Sequence, residues 1–369
     1  MNKKNLIISL IGLMLANAVQ AEGLRETVGK YFLIGTAMNT VQVRIDDPQL
    51  NSIVDKHFNA VVAENCMKAE ELQPNEGLFD YRQADKLVEY AQKHNMTLTG
   101  HCLLWHSQAP RWFFKDELGN PCSREVLIGR IKDHIKAVMT YFKGKVLGWD
   151  VVNEAIMDDG SYRKSEFFKI IGPEFIEIAF RAAMEADPDA ELYLNDFSMS
   201  NKGKREKYCE IIRDFKKKGI RIDAIGMQSH NGMDYPKLSE YEKSIDAFAA
   251  EGVKVMMTEL DLNVLPNPKD FGGADIAQNF KYQEKYNPYK DGNIPADSLK
   301  KIDERWMDLW KIYYKHRDQI SRVTLWGIED GQSWLNNFPV RGRVNYPLLF
   351  DRKKEEKPVV KKIEKLFSK

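Results

Sequence analysis

The chain has 369 residues, of which 43% are hydrophobic and 30% are charged, and its formal net charge at pH 7 is +1. This composition is typical of soluble globular proteins, and the length is sufficient for a large core. A nearly neutral chain has no general attraction to nucleic acid or to an anionic membrane, so we exclude partners that are held mainly by charge.

The first 21 residues have the pattern of a secretory signal peptide. Lys3 and Lys4 form a basic start, residues 6–15 are apolar, and residues 19–21 (VQA) resemble a cleavage site. The alternative is a membrane anchor, but the apolar segment is short for a bilayer span, and no cysteine follows it to carry a lipid. We therefore expect one folded domain at residues 22–369, secreted or periplasmic, with no membrane partner after cleavage.

Short apolar segments alternate with longer amphipathic segments along the rest of the chain. The apolar segments predict eight β-strands, at residues 31–35, 59–63, 97–100, 146–152, 191–194, 223–227, 253–258 and 323–327. The amphipathic segments predict helices at residues 83–93, 124–142, 166–185, 204–217, 238–250, 299–316 and 358–366. Residues 263–295 are rich in Asn, Pro, Gly and Lys, and they predict a long loop that includes one helical turn.

Strands that alternate with helices predict a parallel sheet with right-handed crossovers. Such a sheet is either open and doubly wound or closed into a barrel. Eight strands in a chain of this length favour an α/β fold, a (β/α)8 TIM barrel in a single domain. No Gly-x-Gly-x-x-Gly turn follows the first strand, and this disfavours a dinucleotide-binding sheet.

The four cysteines are Cys66, Cys102, Cys122 and Cys209. Export would permit disulfides, but the irregular spacing does not indicate a disulfide framework or a paired zinc motif. We expect all four to be unpaired, with a bridge between Cys66 and Cys102 as the alternative.

Polar and aromatic residues follow almost every predicted strand. In a barrel, the carboxyl ends of the strands meet at one opening. In strand order the residues are Glu64, Asn65 and Lys68; His101, Trp105, His106 and Gln108; Asn153 and Glu154; Asn195 and Asp196; Gln228 and His230; Glu259 and Asp261; and Trp326 and Trp334. Amides and charged groups can pair with hydroxyls, and flat indoles can cover the apolar faces of pyranose rings. The set therefore favours a site for a neutral carbohydrate.

Each of these residues has a simpler explanation when it is taken alone. A single Glu at a strand end is usually a solvated loop carboxylate, and Gln228, His230 and Asp261 could form a buried polar network. His101, His106 and His230 with two Glu could bind a metal, although the spacing lacks the His-x-x-x-His pattern of a zinc helix. Polar and aromatic residues follow seven successive strands, and this favours the carbohydrate site. We therefore expect no metal and no cofactor.

Two segments, LGWDVVNEA at 147–155 and KVMMTELD at 254–261, each place a Glu at the end of an apolar strand. Two strands that end in this way can direct Glu154 and Glu259 at the same bond. Glycoside hydrolysis requires such a pair of carboxyl groups.

The motifs together resemble glycoside hydrolase family ten, whose typical members are endo-β-1,4-xylanases. The resemblance covers nearly the whole chain after residue 21. It rests on ENCMK at 64–68, QPNEGLF at 73–79, GHCLLWHSQ at 100–108, WDVVNE at 149–154, YLNDF at 193–197, GMQSH at 226–230, TELD at 258–261, WG at 326–327 and SW at 333–334. It implies a retaining enzyme that cleaves internal β-1,4 bonds of xylan and xylo-oligosaccharides.

The resemblance also implies residue roles. Glu154 is expected to be the acid/base and Glu259 the nucleophile, with His230 bonded to Glu259 and Asp261 orienting His230. The cleavage subsite is expected to contain His101, Trp105, Asn153 and Gln228. The next sugar on the non-reducing side is expected to contact Glu64, Asn65 and Lys68. The other expected substrate contacts are Gln108, Trp326 and Trp334.

The chain departs from the family pattern at three places. Ala69 stands where many members have a bulkier residue. Phe197 stands where Tyr is common, so a hydroxyl contact toward the leaving sugar is expected to be missing. The loop at 263–295 is longer than is usual for the family.

Two other functions stay open on the sequence. A β-1,4-glucanase on the same barrel would need space for the additional hydroxymethyl group of glucose. A non-catalytic glycan-binding protein would not need both carboxylates, and this disfavours it. We expect a monomer that acts on xylan.

Overall fold

The structure is a computed structural model that describes residues 22–369, so the predicted signal peptide at residues 1–21 lies outside the described residues. Within that range the chain forms nine β-strands. They are β1 (Leu33–Met38), β2 (Ala60–Ala63), β3 (Thr97–Trp105), β4 (Gly148–Asn153), β5 (Glu191–Asp196), β6 (Ala224–Met227), β7 (His230–Gly232), β8 (Lys254–Asn263) and β9 (Ile320–Leu325).

Eight of these strands close a parallel barrel. The strands β1 to β6 pair in chain order, and β6 pairs with β8, β8 with β9 and β9 with β1. Strand β7 is a short rim strand that pairs with the carboxyl half of β8. Helices cover the outside of the barrel between the strands, and the predicted (β/α)8 TIM barrel is confirmed.

Twelve α-helices occur within the described range. They are α1 (Leu24–Thr27), α2 (Thr40–Arg44), α3 (Pro48–His57), α4 (Ala69–Leu72), α5 (Arg82–Lys93), α6 (Arg124–Phe142), α7 (Glu166–Ile171), α8 (Phe175–Ala186), α9 (Lys202–Lys217), α10 (Leu238–Ala250), α11 (Ala296–Lys315) and α12 (Pro358–Phe367). The long loop between β8 and α11 contains one 3-10 turn, at Glu284–Tyr286, as predicted.

The prediction of one continuous helix over residues 166–185 is wrong. Helix α7 ends at Ile171 because Gly172 takes a positive φ of 99°, and α8 begins at Phe175. Pro173, which follows that glycine, has no backbone N–H to donate within a helix. Helices α2 and α3, between β1 and β2, were not predicted. Both are started by side-chain caps, from Asn39 and Asp47, rather than by a long apolar stripe.

Two predicted strands are too short at the carboxyl end of the barrel. Strand β3 continues past residue 100 to Trp105, and β8 continues past residue 258 to Asn263. The polar residues His101, Glu259, Asp261 and Asn263 in these extensions are all buried. The polar ends therefore belong to the barrel and are fixed by it.

The four cysteines are buried and unpaired, as expected, and the alternative bridge between Cys66 and Cys102 is wrong. Among residues 22–369, no helix combines the length and the apolar character that a membrane span needs.

Candidate active site

A cavity at the carboxyl end of the barrel collects the residues predicted for the site. The predicted residues that line it are Glu64, Asn65, Lys68, His101, Trp105, Gln108, Asn153, Glu154, Gln228, His230, Glu259, Trp326 and Trp334. Of the residues that were given a role in the site, Asp261 alone does not line this cavity, and it lies in an adjoining cavity that shares His230 and Trp334. Three other strand-end residues, His106, Asn195 and Asp196, do not line it either. Two residues of the long loop, Ala274 and Ile276, also line the catalytic cavity, and they were not predicted.

Glu154 lies at the end of β4 in a backbone conformation that is unusual for a residue with a side chain. Its φ is +58°, and its N–H donates to the Asn195 carbonyl at 2.9 Å. The Gln228 amide donates to Oε1 of Glu154 at 3.0 Å, and Asn153 donates to the same oxygen at 3.5 Å. Burial and the nearby charge of Asp196 raise the pKa of Glu154 to about 7. The carboxyl group can therefore hold a proton near neutral pH.

Glu259 lies across the cavity on β8, and its pKa is shifted in the opposite direction. Asn195 donates to one carboxylate oxygen at 2.9 Å, and Nε2 of His230 lies 3.2 Å from the other. Burial alone would raise the pKa of Glu259, but the hydrogen bond from His230 and the positive charge of its ring outweigh burial and lower this pKa. Glu259 is therefore ionised at a pH at which Glu154 is still protonated.

His230 connects the Glu259 carboxylate to a second, fully buried carboxylate. The register of β7 on β8 sets His230 opposite Asp261, and Nδ1 of His230 is 3.0 Å from Oδ2 of Asp261. Trp334 donates its indole N–H to the same oxygen at 2.8 Å. Burial lowers the pKa of His230, but the two carboxylates have the larger combined effect and raise it to about 10. The ring is therefore an imidazolium that donates to both Glu259 and Asp261.

Asn195, which was predicted only as a polar residue at a strand end and was given no role, joins the two halves of the site. Its amide N–H2 group donates to Oδ1 of Asn153 at 3.1 Å and to Oε1 of Glu259 at 2.9 Å. Gln228 donates to the same Asn153 oxygen at 3.3 Å, as well as to Glu154. A continuous chain of amides thus links the two carboxyl groups. The sequence signal for Asn195 was its place at the end of a strand, which it shares with many polar residues.

The residues that follow β2 and β3 form a second polar group on the far side of the cavity. Lys68 donates to Asn65 at 2.9 Å and to Gln108 at 2.8 Å, and its ammonium lies 4.6 Å from the Trp105 ring centre. Burial raises the pKa of the neighbouring Glu64. The cluster offers donors and acceptors beside a flat ring, and a sugar with free hydroxyls needs both.

His101 is fixed by an acidic residue that was not predicted. Nδ1 of His101 is 2.8 Å from Oδ2 of Asp150, and both side chains are buried. Trp326 meets the His101 ring edge to face, with ring centres 5.5 Å apart. A carboxylate inside an apolar strand needs a polar partner, so Asp150 could have been found from its position within β4.

The histidines of the alternative metal site do not converge. His101 and His230 line the cavity, whereas His106 does not and lies next to Ser107, with a ring-to-hydroxyl distance of 3.2 Å. No group of three or more His, Cys, Asp or Glu residues that could hold a metal ion occurs within residues 22–369.

Comparison with known proteins agrees with this geometry. The sequence profile described as glycosyl hydrolase family 10 matches residues 23–366. Endo-1,4-beta-xylanase A of Xylanibacter ruminicola is 53% identical over 361 residues, which are 97% of this chain and 98% of that protein.

Two solved structures are also similar. One is a novel GH10 endoxylanase from a sugarcane soil metagenome, with a TM-score of 0.90, 42% identity, and coverage of 93% of this chain and 100% of that one. The other is a mutant of the intracellular xylanase TsXylA of Thermoanaerobacterium saccharolyticum in complex with xylotriose. Its TM-score is 0.80 at 35% identity, and the match covers 94% of this chain and 99% of that one. The protein described here therefore belongs to glycosyl hydrolase family 10.

Proposed function

We propose that this protein is an endo-1,4-β-xylanase that hydrolyses internal bonds of xylan and xylo-oligosaccharides with retention of configuration. The observation that carries the proposal is a pair of buried carboxyl groups in one cavity, Glu154 and Glu259, whose pKa values are shifted in opposite directions. The choice of xylan is supported by relatives named as xylanases and by a cavity whose amides and indoles suit a neutral sugar.

In the first chemical step, the ionised Glu259 attacks the anomeric carbon while Glu154 gives its proton to the leaving glycosidic oxygen. The bond to the leaving sugar breaks, and an ester bond forms between the glycone and Glu259. This mechanism requires the two carboxyl groups to be about 5–5.5 Å apart. The hydrogen bonds from Asn195 and His230 keep Glu259 oriented for the attack.

In the second step, Glu154 is ionised and acts as the base. It removes a proton from a water molecule, which attacks the anomeric carbon and breaks the ester to Glu259. Asn153 lies beside the acid/base and is the group we assign to the sugar 2-hydroxyl, a contact that strengthens as positive charge develops on the ring. Both carboxyl groups then return to their starting protonation states.

The cluster after β2 and β3 is assigned to the next sugar on the non-reducing side. Glu64, Asn65 and Lys68 supply donors and acceptors, and Gln108 keeps the ammonium of Lys68 in place at 2.8 Å. Because this cluster is part of the cavity wall, an oligosaccharide can occupy both positions at once, as cleavage of an internal bond requires.

Glu154→Ala tests the assignment of the acid/base. The variant should lose nearly all hydrolysis of xylan, because the sugar leaving group needs a proton. It should still release 2,4-dinitrophenol from an aryl xylobioside in a rapid burst, because this leaving group needs none. Added azide should restore turnover and give a β-glycosyl azide, which NMR identifies.

Glu259→Ala is the matched comparison, and it should abolish the reaction on both substrates. An equal loss on xylan and on the aryl xylobioside for Glu154→Ala, without rescue by azide, would contradict the assignment of Glu154 as the acid/base.

Reducing-sugar assays of the wild type on xylan and on soluble cellulose separate the xylanase from the glucanase alternative. Binding of xylan without any product would favour the non-catalytic alternative.

We also propose that residues 1–21 are a signal peptide and that the enzyme acts in the periplasm or outside the cell. The support is the basic start, the apolar middle and the small residues near position 21. Mass spectrometry of the exported protein should give an amino terminus at Glu22. A full-length chain that stays in the cytoplasm would contradict this.

A further inference from the structure

A turn of the long loop closes one side of the catalytic cavity. We define it as residues 272–278, the segment that Gly272 and Gln278 close with two reciprocal hydrogen bonds of 2.8 Å. Its residues Ala274 and Ile276 line the catalytic cavity. Gly273 has a φ of +72°, and a Cβ placed there would lie 2.9 Å from the Ser198 hydroxyl. The 272–278 turn is therefore packed tightly on the end of β5.

The turn covers the aromatic residue at which this chain departs from the family pattern. Phe197 is only 4% exposed, and a Cβ on Gly273 would lie 3.3 Å from its ring. Two cations also lie near the ring: the ammonium of Lys204 is 3.8 Å from the ring centre, and the guanidinium of Arg163 is 5.7 Å from it. Phe197 does not line the catalytic cavity, so in this protein the surface beside the acid/base is formed by Ala274 and Ile276 instead.

Arg163 joins this turn to the backbone of the acid/base. Its Nε donates to the carbonyl oxygen of Glu154 at 2.9 Å, and its Nη1 lies 3.3 Å from Oδ2 of Asp275. The backbone N–H of Arg163 donates to the Ala155 carbonyl at 2.8 Å. A left-handed backbone such as that of Glu154 is unfavourable for a residue with a Cβ, and it persists where its surroundings hold it. The Arg163 guanidinium is one of these restraints.

The position of the turn identifies the part of the substrate that it meets. The sugar on the non-reducing side is assigned to the cluster around Lys68, after β2 and β3. The turn packs instead on the end of β5, beside the backbone of Glu154. A general acid protonates the leaving oxygen, so a wall next to the acid and away from Lys68 faces the leaving sugar.

We propose that Arg163 is a positioning residue for Glu154, and that its ion pair with Asp275 holds the 272–278 turn as the wall of the site for the leaving sugar. This inference rests on the proposed function, because it takes Glu154 as the acid/base. The long loop then helps to position the proton donor Glu154, and it also helps to recognise the reducing-end part of the xylan chain.

Arg163→Gln tests the first part. If Arg163 positions the acid, kcat/KM should fall by about tenfold or more on phenyl β-xylobioside, whose leaving group needs a proton. It should stay within about twofold of wild type on 2,4-dinitrophenyl β-xylobioside, whose leaving group needs none. A merely structural role would reduce both rates together. Arg163→Lys keeps the charge without the planar fork, and it should show the same selectivity with a smaller loss.

Asp275→Asn tests the second part, because it leaves the bond from Arg163 to Glu154 intact. We expect KM for xylohexaose to rise by about fivefold with little change in kcat, since a partly exposed ion pair contributes modestly. The ratio of kcat/KM on the two aryl xylobiosides should stay that of the wild type, because Glu154 keeps its position. Asp270→Asn is the matched control, because Asp270 is exposed on the same loop and no ion pair among the described residues includes it.

The outcomes separate this inference from the proposed function. A wild type that does not hydrolyse xylan overturns the function itself. If the wild type is active, equal losses on both aryl substrates, or no loss, for Arg163→Gln and Arg163→Lys would overturn the positioning role. An unchanged KM for xylohexaose in Asp275→Asn, or the same change in Asp270→Asn, would overturn the role of the turn. Thermal melts of each variant establish that the comparison is made on folded protein.

Discussion

Glu154 and Glu259 are chemically identical side chains, and their neighbours give them different protonation states. Burial and Asp196 raise the pKa of Glu154 to about 7, whereas His230 and its positive charge keep the pKa of Glu259 below its usual value. The proposed mechanism requires Glu154 to be protonated and Glu259 to be ionised. The rate should therefore fall above about pH 7, where Glu154 loses its proton, and at acidic pH, where Glu259 gains one.

His230→Ala should move the acidic side of this profile. Without the imidazolium, the Glu259 carboxylate loses a hydrogen bond and a nearby positive charge, so its pKa rises. The acidic limb of kcat/KM on an aryl xylobioside should then move to higher pH, while the alkaline limb stays. The maximal rate should fall by about 10–100-fold, because a hydrogen bond to a charged group contributes about 1.5–3 kcal/mol.

His94→Ala is the control for this experiment. His94 follows α5 at the opposite end of the barrel, and its Nδ1 lies 2.7 Å from a carboxylate oxygen of Asp55. The substitution His94→Ala removes an imidazole that is paired with an acid, but it should leave both limbs of the pH profile in place. A shift of the alkaline limb in His230→Ala, with the acidic limb fixed, would mean that His230 acts on Glu154 instead.

At the scale of the elements, one large ring packs against both strand β3 and helix α6. Trp149 on β4 is 1% exposed, and its ring centre is 5.8 Å from that of Phe142 on α6. Gly100 on β3 leaves the space for this indole, because a Cβ there would meet the Trp149 ring at 2.2 Å. The tight contact fixes the strand that carries His101.

Gly100→Ala should therefore destabilise the barrel by about 1–3 kcal/mol or more, since the indole and the strand must separate. Gly129→Ala, within α6, is the matched control: a Cβ there meets nothing within 4 Å. It should stabilise the protein by about 0.5–1 kcal/mol, because alanine restricts the unfolded chain and favours a helix. Urea unfolding followed by circular dichroism measures both changes. Equal effects of the two substitutions would contradict the packing argument.

The elements also define what could be predicted from the sequence. The apolar segments that precede Asn153 and Glu259 were recognisable because buried parallel strands consist of short apolar runs. Helix α2 was not, since it has one turn and depends on the Asn39 cap. The contact of Gly273 with Phe197 was also inaccessible, because the two residues are far apart in the chain and neither has a distinctive pattern. The spacing of apolar residues predicts local secondary structure, whereas loop packing depends on residues that are far apart in the chain.

At the scale of the whole molecule, the nearly neutral charge matches a neutral substrate. The formal net charge of +1 provides no long-range attraction or repulsion for xylan. We expect kcat/KM on a linear xylo-oligosaccharide to change by less than about twofold between about 0.1 and 1 M NaCl, where the Debye length falls from about 10 to 3 Å. A strong decrease with salt would instead indicate recognition of charged groups, and the same assay on acidic and neutral oligosaccharides would detect it.

The spacing of Glu259 and Asp261 on β8 has a consequence for how such a protein can diverge. Residues two apart in a strand project from the same face, which is why one imidazole on β7 reaches both. A one-residue insertion or deletion between them would turn Asp261 to the opposite face and disconnect it from His230. The segment after Asn263 is a loop, so a change in its length does not turn side chains from one face of a strand to the other. We therefore expect descendants of this sequence to change their preference for the leaving part of the polysaccharide by lengthening or shortening this loop. The number of residues in β8 should stay the same.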